Sequence, residues 1–239
     1  MLVGSSISSS DSMISEALAY LGFDLLWVDM EHTPSDKREI LSHITAIQGA
    51  GVPVLVRVPW NDPILVKPIL EMGPDGIIFP MVSSLEEAEK AVRSISYPPT
   101  GCRGYGPLRA NKYGADKDYL KNIGDNLLCF IQIETQQAVD NIEEICSCPG
   151  LDGVLFGGMD LSASLGTLGE TNTPAFAQAV QKVCKVAKQK EKLVGCCAPD
   201  DEKSRAMYLS AGVDIYLASG DIAMMTAYAR NMLSSFRSL

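Results

Sequence analysis

The chain has 239 residues, 46% of them hydrophobic and 21% charged, with a formal net charge of −9. That length suits one core burying roughly 70–75% of the unfolded surface, and an acidic balance without a Lys/Arg run excludes the basic face that nonspecific nucleic acid binding needs. No apolar stretch approaches the roughly 18 residues of a membrane span, and residues 1–13 lack the basic start and long apolar segment of a secretory signal. A single domain over 1–239 is expected, cytoplasmic, without a nucleic acid or membrane partner.

Short apolar strands alternate with amphipathic helices along the chain. Strands are predicted at 2–7, 25–29, 54–58, 76–80, 127–133, 153–156, 193–197 and 215–218. Helices are predicted near 12–21, 37–49, 62–72, 85–94, 136–146, 174–190, 201–211 and 220–236. Ser84 precedes an acidic first turn as a cap, and Pro174 stands where a first-turn proline is tolerated. Eight such units close a (β/α)8 TIM barrel, for which about 250 residues is typical. The exceptional connection is 97–126, whose opening Pro98–Pro107 excludes regular structure, and loops of that length are usually functional or interfacial. Seven cysteines without a CxxC pair, several in apolar surroundings, read as reduced buried thiols rather than a zinc site.

The chemistry gathers at predicted strand ends. Trp27-Val28-Asp29-Met30-Glu31-His32 closes the apolar run begun at Phe23 and sets two carboxylates and an imidazole just past it. In α/β enzymes the C-terminal ends of parallel strands carry the site. Other strand ends deliver Arg57, then Gln132 and Glu134, and, through Gly157-Gly158-Met159, Asp160. Glu134 and Asp160 offer hard oxygen ligands suited to Mg²⁺ or Mn²⁺, and an arginine fork fits a carboxylate or a developing enolate. Each has a plainer reading: Glu134 as an acid at a helix N-terminus, Asp160 as a turn cap, His32 as a loop residue bonded to Asp29, Arg57 as the partner of a nearby acid. Their shared place on one predicted rim favours a site. His32 is then the acid or base, since an ordinary imidazole titrates near 6.5; His43, inside a predicted helix, is structural, and Glu31 is read as solvated or structural. No lysine falls on a predicted strand, which argues against a Schiff-base aldolase, and the usual glycine-rich phosphate cradles are missing.

The segments GFDLLWVDMEH (22–32), VPVLVRVPWNDP (52–63), IIFPMVSSLEEAEKAV (77–92), YPPTGCRGYG (97–106), IQIET (131–135) and GVLFGGMDLSASLG (153–166) together resemble the HpcH/HpaI family of metal-dependent pyruvate aldolases. Within it the chain looks nearest the 2-dehydro-3-deoxyglucarate and 2,4-dihydroxyhept-2-ene-1,7-dioate aldolases. The resemblance implies a phosphoenolpyruvate/pyruvate-type barrel and reversible cleavage of a 4-hydroxy-2-oxo acid to pyruvate and an aldehyde. It implies Glu134 and Asp160 as ligands of Mg²⁺, Mn²⁺ or Co²⁺, with no organic cofactor. Arg57 would stabilise the enolate, His32 would move protons and Asp29 would orient His32. Gln132, Gly158, Met159 and Asp160 would meet the substrate. It further implies a homo-oligomer, a hexamer built from dimers, with the last helix exchanged between subunits and Glu71, where aspartate is common, reaching a neighbouring site. A citrate lyase β-subunit-like CoA-ester lyase and a noncatalytic small-acid-binding barrel are the rival readings.

Overall fold

The computed structural model describes residues 1–238, and of Asp125 the backbone alone. Strands β1 (Leu2–Ile7), β2 (Leu25–Asp29), β3 (Val54–Arg57), β4 (Gly76–Phe79), β5 (Leu128–Ile133), β6 (Gly153–Gly157), β7 (Leu193–Ala198) and β8 (Ile215–Gly220) pair in parallel and in chain order, and β8 returns to β1 to close a barrel. Every predicted strand forms, with its ends within two residues of the expected ones. The connections carry α1 (Ser12–Tyr20), α2 (Lys37–Gly49), α3 (Pro63–Leu70), α4 (Leu85–Ile95), α5 (Tyr119–Asn126), α6 (Gln136–Asp140), α7 (Ile142–Cys146), α8 (Gly158–Ser164), α9 (Pro174–Gln189), α10 (Glu202–Ala211) and α11 (Asp221–Arg237). Among the described residues no helix is long and apolar enough to cross a membrane.

The strands read as unbroken apolar runs because both of their faces are covered. Leu26 and Val28 of β2 join the larger core between barrel and helices, with Ile40 and Ile44 of α2. Leu25 and Trp27 turn the other way and join Leu55, Ile78, Phe130, Leu155, Ile215 and Leu217 inside the barrel. Gly76 leaves the room this filling needs, since a Cβ there would press on Leu55 and Leu128. The same period of two carries the inward face from apolar to polar along each strand. Asp29 stands two residues after Trp27, Arg57 two after Leu55, and Gln132 and Glu134 two and four after Phe130. Because Asp29 pairs with Arg57 in the β2–β3 register, their side chains leave the wall at one level.

The helix ends follow the predicted signals. Ser84 Oγ accepts the Glu87 N–H at 3.2 Å, and Pro174 opens α9 behind a Thr173 cap. Three connections differ from expectation. The predicted 136–146 helix is broken at Asn141, whose Nδ2 donates to the Ser83 carbonyl at 2.9 Å and spaces α6 from α7. The 97–126 connection contains a 3₁₀ turn at Lys112–Gly114 and the helix α5. Helix α8 starts on Gly158 and places Asp160 in its first turn, where a loop was expected. Glycine disfavours helix locally, and α8 forms through burial of Leu161 and Ser162.

Cys129, Cys146, Cys148, Cys184 and Cys196 are free and buried, Cys197 is half-buried and Cys102 exposed. His43 is buried in α2 with Nδ1 at 2.6 Å from Ser15 Oγ, and burial lowers its pKa from the ordinary value. Below an ordinary imidazole pKa of about 6.5, the unfolded chain takes up a proton that folded His43 resists. Stability is therefore expected to fall as pH drops from there toward the folded pKa. His43→Asn should flatten the decline in melting temperature between pH 7 and 5, and a slope equal to the parent's would reject this account.

Candidate active site

A cavity of about 230 Å³ opens at the C-terminal ends of the strands. Ser6, Ser8, Trp27, Asp29, His32, Arg57, Gln132 and Glu134 line it, with Phe156, Gly157, Gly158, Met159, Asp160 and Cys197. It thus brings together the strand-end residues expected from sequence, while Glu71, expected to reach a neighbouring subunit's site, lies outside it. That residue caps the C-terminal end of α3, toward the opposite mouth of the barrel, where Oε1 lies 3.3 Å from Arg103 Nη2.

Arg57 is the hub. Its Nε and Nη2 donate to the two Asp29 oxygens at 2.8 and 2.7 Å, Nη1 donates to Gln132 Oε1 at 3.2 Å, and Nη1 lies 3.0 Å from Glu31 Oε2. Burial on its own would lower the guanidinium pKa, but the Asp29 bonds and the charges of Asp29, Glu31 and Glu134 together outweigh it and raise the value. Asp29 therefore serves Arg57, not His32. Its Oδ1 also accepts the Glu31 N–H at 2.9 Å, and its carbonyl accepts Thr33 Oγ1–H at 2.6 Å, which folds the chain sharply after β2. His32 instead sits 63% exposed at the rim, with Nε2 3.7 Å from Glu31 Oε2.

Glu31, expected to be solvated or structural, is drawn in as a third acid around Arg57. Burial raises its pKa against the pull of Arg57 and His32, and its Oε2 has no hydrogen-bond partner. Glu134 is only 2% exposed. Its pKa is pushed up to about 7 by burial, with the charges of Glu31 and Asp160 adding, while the Met81 N–H (2.8 Å to Oε2) and Arg57 oppose the rise. Gly157 gives this carboxylate its space, since a Cβ there would collide with Glu134 Oε1. Met81 holds φ at 55°, a left-handed backbone that is uncommon for a non-glycine residue, and it aims its amide at the acid.

Among the described residues there is no group of three or more His, Cys, Asp and Glu that could hold a metal by itself. What the cavity offers is Glu134, with Asp160 at its mouth, inside a set of acids short of counter-charge. Two hard oxygens with room for water and a chelating ligand fit a divalent ion of the Mg²⁺ or Mn²⁺ type. No lysine lines the cavity. A larger cavity of about 710 Å³ lies at the N-terminal ends of β3 to β5, where Asp75 and Arg109 serve the scaffold. There, Asp75 accepts the Val54 N–H, and Arg109 donates to the Met72 carbonyl and to Gln48. Sequence reasoning passed over Ser6, Trp27 and Cys197 as wall residues. Trp27 was within reach, since it precedes Asp29 by two and must share its face.

Fold and site together define a (β/α)8 barrel enzyme whose strand ends set one clamped arginine against several carboxylates. Residues 6–214 match the profile of the HpcH/HpaI aldolase/citrate lyase family. A 5-keto-4-deoxy-D-glucarate aldolase of Shigella dysenteriae serotype 1 is 34% identical over 229 residues, covering 95% of this chain and 89% of that protein. A family structure from Burkholderia cenocepacia J2315 superposes with a TM-score of 0.93 at 34% identity, over 99% of this chain and 94% of its own. Another HpcH/HpaI aldolase, from Desulfitobacterium hafniense DCB-2, gives 0.94 at 30% identity, over 100% of this chain and 93% of its own. The chain belongs to the HpcH/HpaI aldolase/citrate lyase family, and it is an aldolase, a carbon–carbon lyase.

Proposed function

We propose that the protein reversibly cleaves a 4-hydroxy-2-oxo acid into pyruvate and an aldehyde by the class II route. The observation that carries this is the pairing, in one small cavity without lysine, of the clamped Arg57 with the buried, charge-starved Glu134. Glu134 and Asp160 would hold Mg²⁺, Mn²⁺ or Co²⁺, and the bound ion would supply positive charge where the keto oxygen becomes an enolate. A guanidinium has five N–H donors. Asp29 and Gln132 engage three of those of Arg57, and Glu31 Oε2 stands 3.0 Å from Nη1 as an ion pair without a hydrogen bond, which leaves one N–H on Nη1 and one on Nη2, the latter for the substrate oxygen. Gln132 and the amides of Gly158, Met159 and Asp160 would orient the substrate carboxylate, because backbone N–H groups at a helix start favour an anion. His32, at the rim, would move the protons: that of the 4-hydroxyl during cleavage and addition, and that of the pyruvate methyl group when the enolate forms or is quenched.

A sugar acid like that in the name of the curated relatives is the first substrate to try. The assembly inferred is a cytoplasmic homo-oligomer, a hexamer built from dimers of single-domain subunits. In support, α11 exposes Ile222, Met225, Tyr228, Met232, Leu233 and Phe236 at helical spacing, an apolar stripe with no partner within the described chain. Packing of this helix on a neighbour would cover the stripe, and Glu71 would then reach toward an adjacent site.

Deuterium exchange into the methyl group of pyruvate tests the route without knowledge of the aldehyde. Exchange should require a divalent ion, stop on chelation and resume on replenishment, and borohydride with pyruvate should leave no adduct. Full exchange in verified metal-free protein would reject the class II route. Arg57→Lys keeps the charge but loses the planar fork, and removal of one oxyanion donor from an enzyme costs roughly 2.7–4 kcal/mol. The variant should therefore lose about 10²–10³ in kcat with pyruvate still bound; parental turnover would remove Arg57 from the mechanism.

A further inference from the structure

We infer that Trp27 is a positioning residue, whose indole face sets the tilt of the Arg57 guanidinium and so aims the N–H left free on Nη2. The inference rests on the proposed role of Arg57. The other side chains of the inner barrel cluster are aliphatic or phenylalanine, apart from the half-buried Cys197. Trp27 alone among them brings an indole, and the Arg57 Cζ lies 4.6 Å from its ring centroid. The bonds to Asp29 and Gln132 and the contact with Glu31 hold the guanidinium by its edges. Edge bonds locate a planar group within its plane but resist rotation out of that plane weakly, and an aromatic face beneath it supplies the missing restraint.

The indole N–H offers an internal check. Trp27 is 2% exposed, and its Nε1 is buried without a hydrogen-bond partner. A buried unpaired donor is unfavourable, and leucine or phenylalanine would avoid it. The value of Trp27 to this site therefore lies in its face, and tryptophan presents the strongest aromatic face to a cation.

The test is a double-mutant cycle on pyruvate proton exchange, with melting curves confirming that each protein is folded. Trp27→Leu should lower kcat about ten-fold with KM for pyruvate little changed, and Trp27→Phe, which keeps a face, should recover to within about three-fold of the parent. In an Arg57→Lys background, Trp27→Leu should cost nothing further, because the group it positions is gone. Should Trp27→Leu fail to fold, Trp27→Met takes its place. Additive losses in the double variant would overturn the inference, as would a Trp27→Phe protein as impaired as Trp27→Leu, which would assign the effect to the N–H. An Arg57→Lys protein with parental turnover would instead sink the proposed role of Arg57 itself.

Discussion

Glu134→Gln is expected to abolish divalent-ion binding in the millimolar range and to lower aldol cleavage by more than about 10³, since a cation at a developing oxyanion is worth several kcal/mol. The variant keeps the volume of the side chain and removes only its capacity for negative charge. The site around the carboxylate is built for that charge. The Met81 amide reaches it from a left-handed backbone, and Gly157 keeps the opposite side open. The substitution should also stabilise the metal-free protein. Glu134 is held at a pKa of about 7 by burial, above its ordinary 4.5, so the folded state binds its proton more tightly than the unfolded state. Stability is therefore lost as pH rises from the ordinary value to about 7, and glutamine escapes that loss. Metal-free Glu134→Gln should melt above the parent at pH 7.5, with the gap closing toward pH 5. Parental metal titration, or a gap of opposite sign, would remove Glu134 as a ligand held under strain for function.

His32→Ala is expected to slow both pyruvate proton exchange and aldol cleavage by about 10² to 10⁴, the usual loss for a positioned acid or base. Stability and metal affinity should stay close to the parent's. The imidazole is 63% exposed and its nearest charged partner, Glu31 Oε2, is 3.7 Å away, so it holds neither the fold nor the proposed ligands in place. Separate effects on chemistry and on binding distinguish His32 from Arg57, whose bonds tie together β2, β3 and β5. A His32→Ala protein that cleaves a confirmed substrate at the parental rate would leave the proton transfer to another group.

Much of this molecule was legible in one dimension. Buried parallel strands announce themselves as short branched or aromatic runs, and eight of them separated by amphipathic helices admit few arrangements other than a closed barrel. The period of two then assigns Asp29, Arg57, Gln132 and Glu134 to the inner face, and parallel strand direction places their ends at one mouth. Hence Asp29, Arg57, Gln132 and Glu134 could be named as lining the cavity from strand ends, whereas Ser6, Trp27 and Cys197 were passed over. Glu71 is instructive for the opposite reason, since it follows a helix and not a strand, and within this chain it turns to Arg103.

Which groups pair was not legible, because pairing depends on register and on turns. Asp29 was expected beside His32, three residues on, yet the β2–β3 register puts Arg57 level with it, and a bidentate guanidinium pair of 2.7 and 2.8 Å takes both carboxylate oxygens. Glu31 reads from sequence as solvated or structural, and the turn folded around Asp29 brings it against the same arginine. Helix α8 was hidden by Gly158 and its Gly157 cap, whose local preference is overridden by burial of Leu161 and Ser162. The elevated pKa of Glu134 depends on burial and on acids distant in sequence, Glu31 and Asp160. Sequence by itself determined the barrel and which residues face its mouth, because periodicity and strand direction are local properties. Only the tertiary structure decided who bonds to whom and how strongly each charge is held, because register, close backbone approach and desolvation exist only once the strands are side by side.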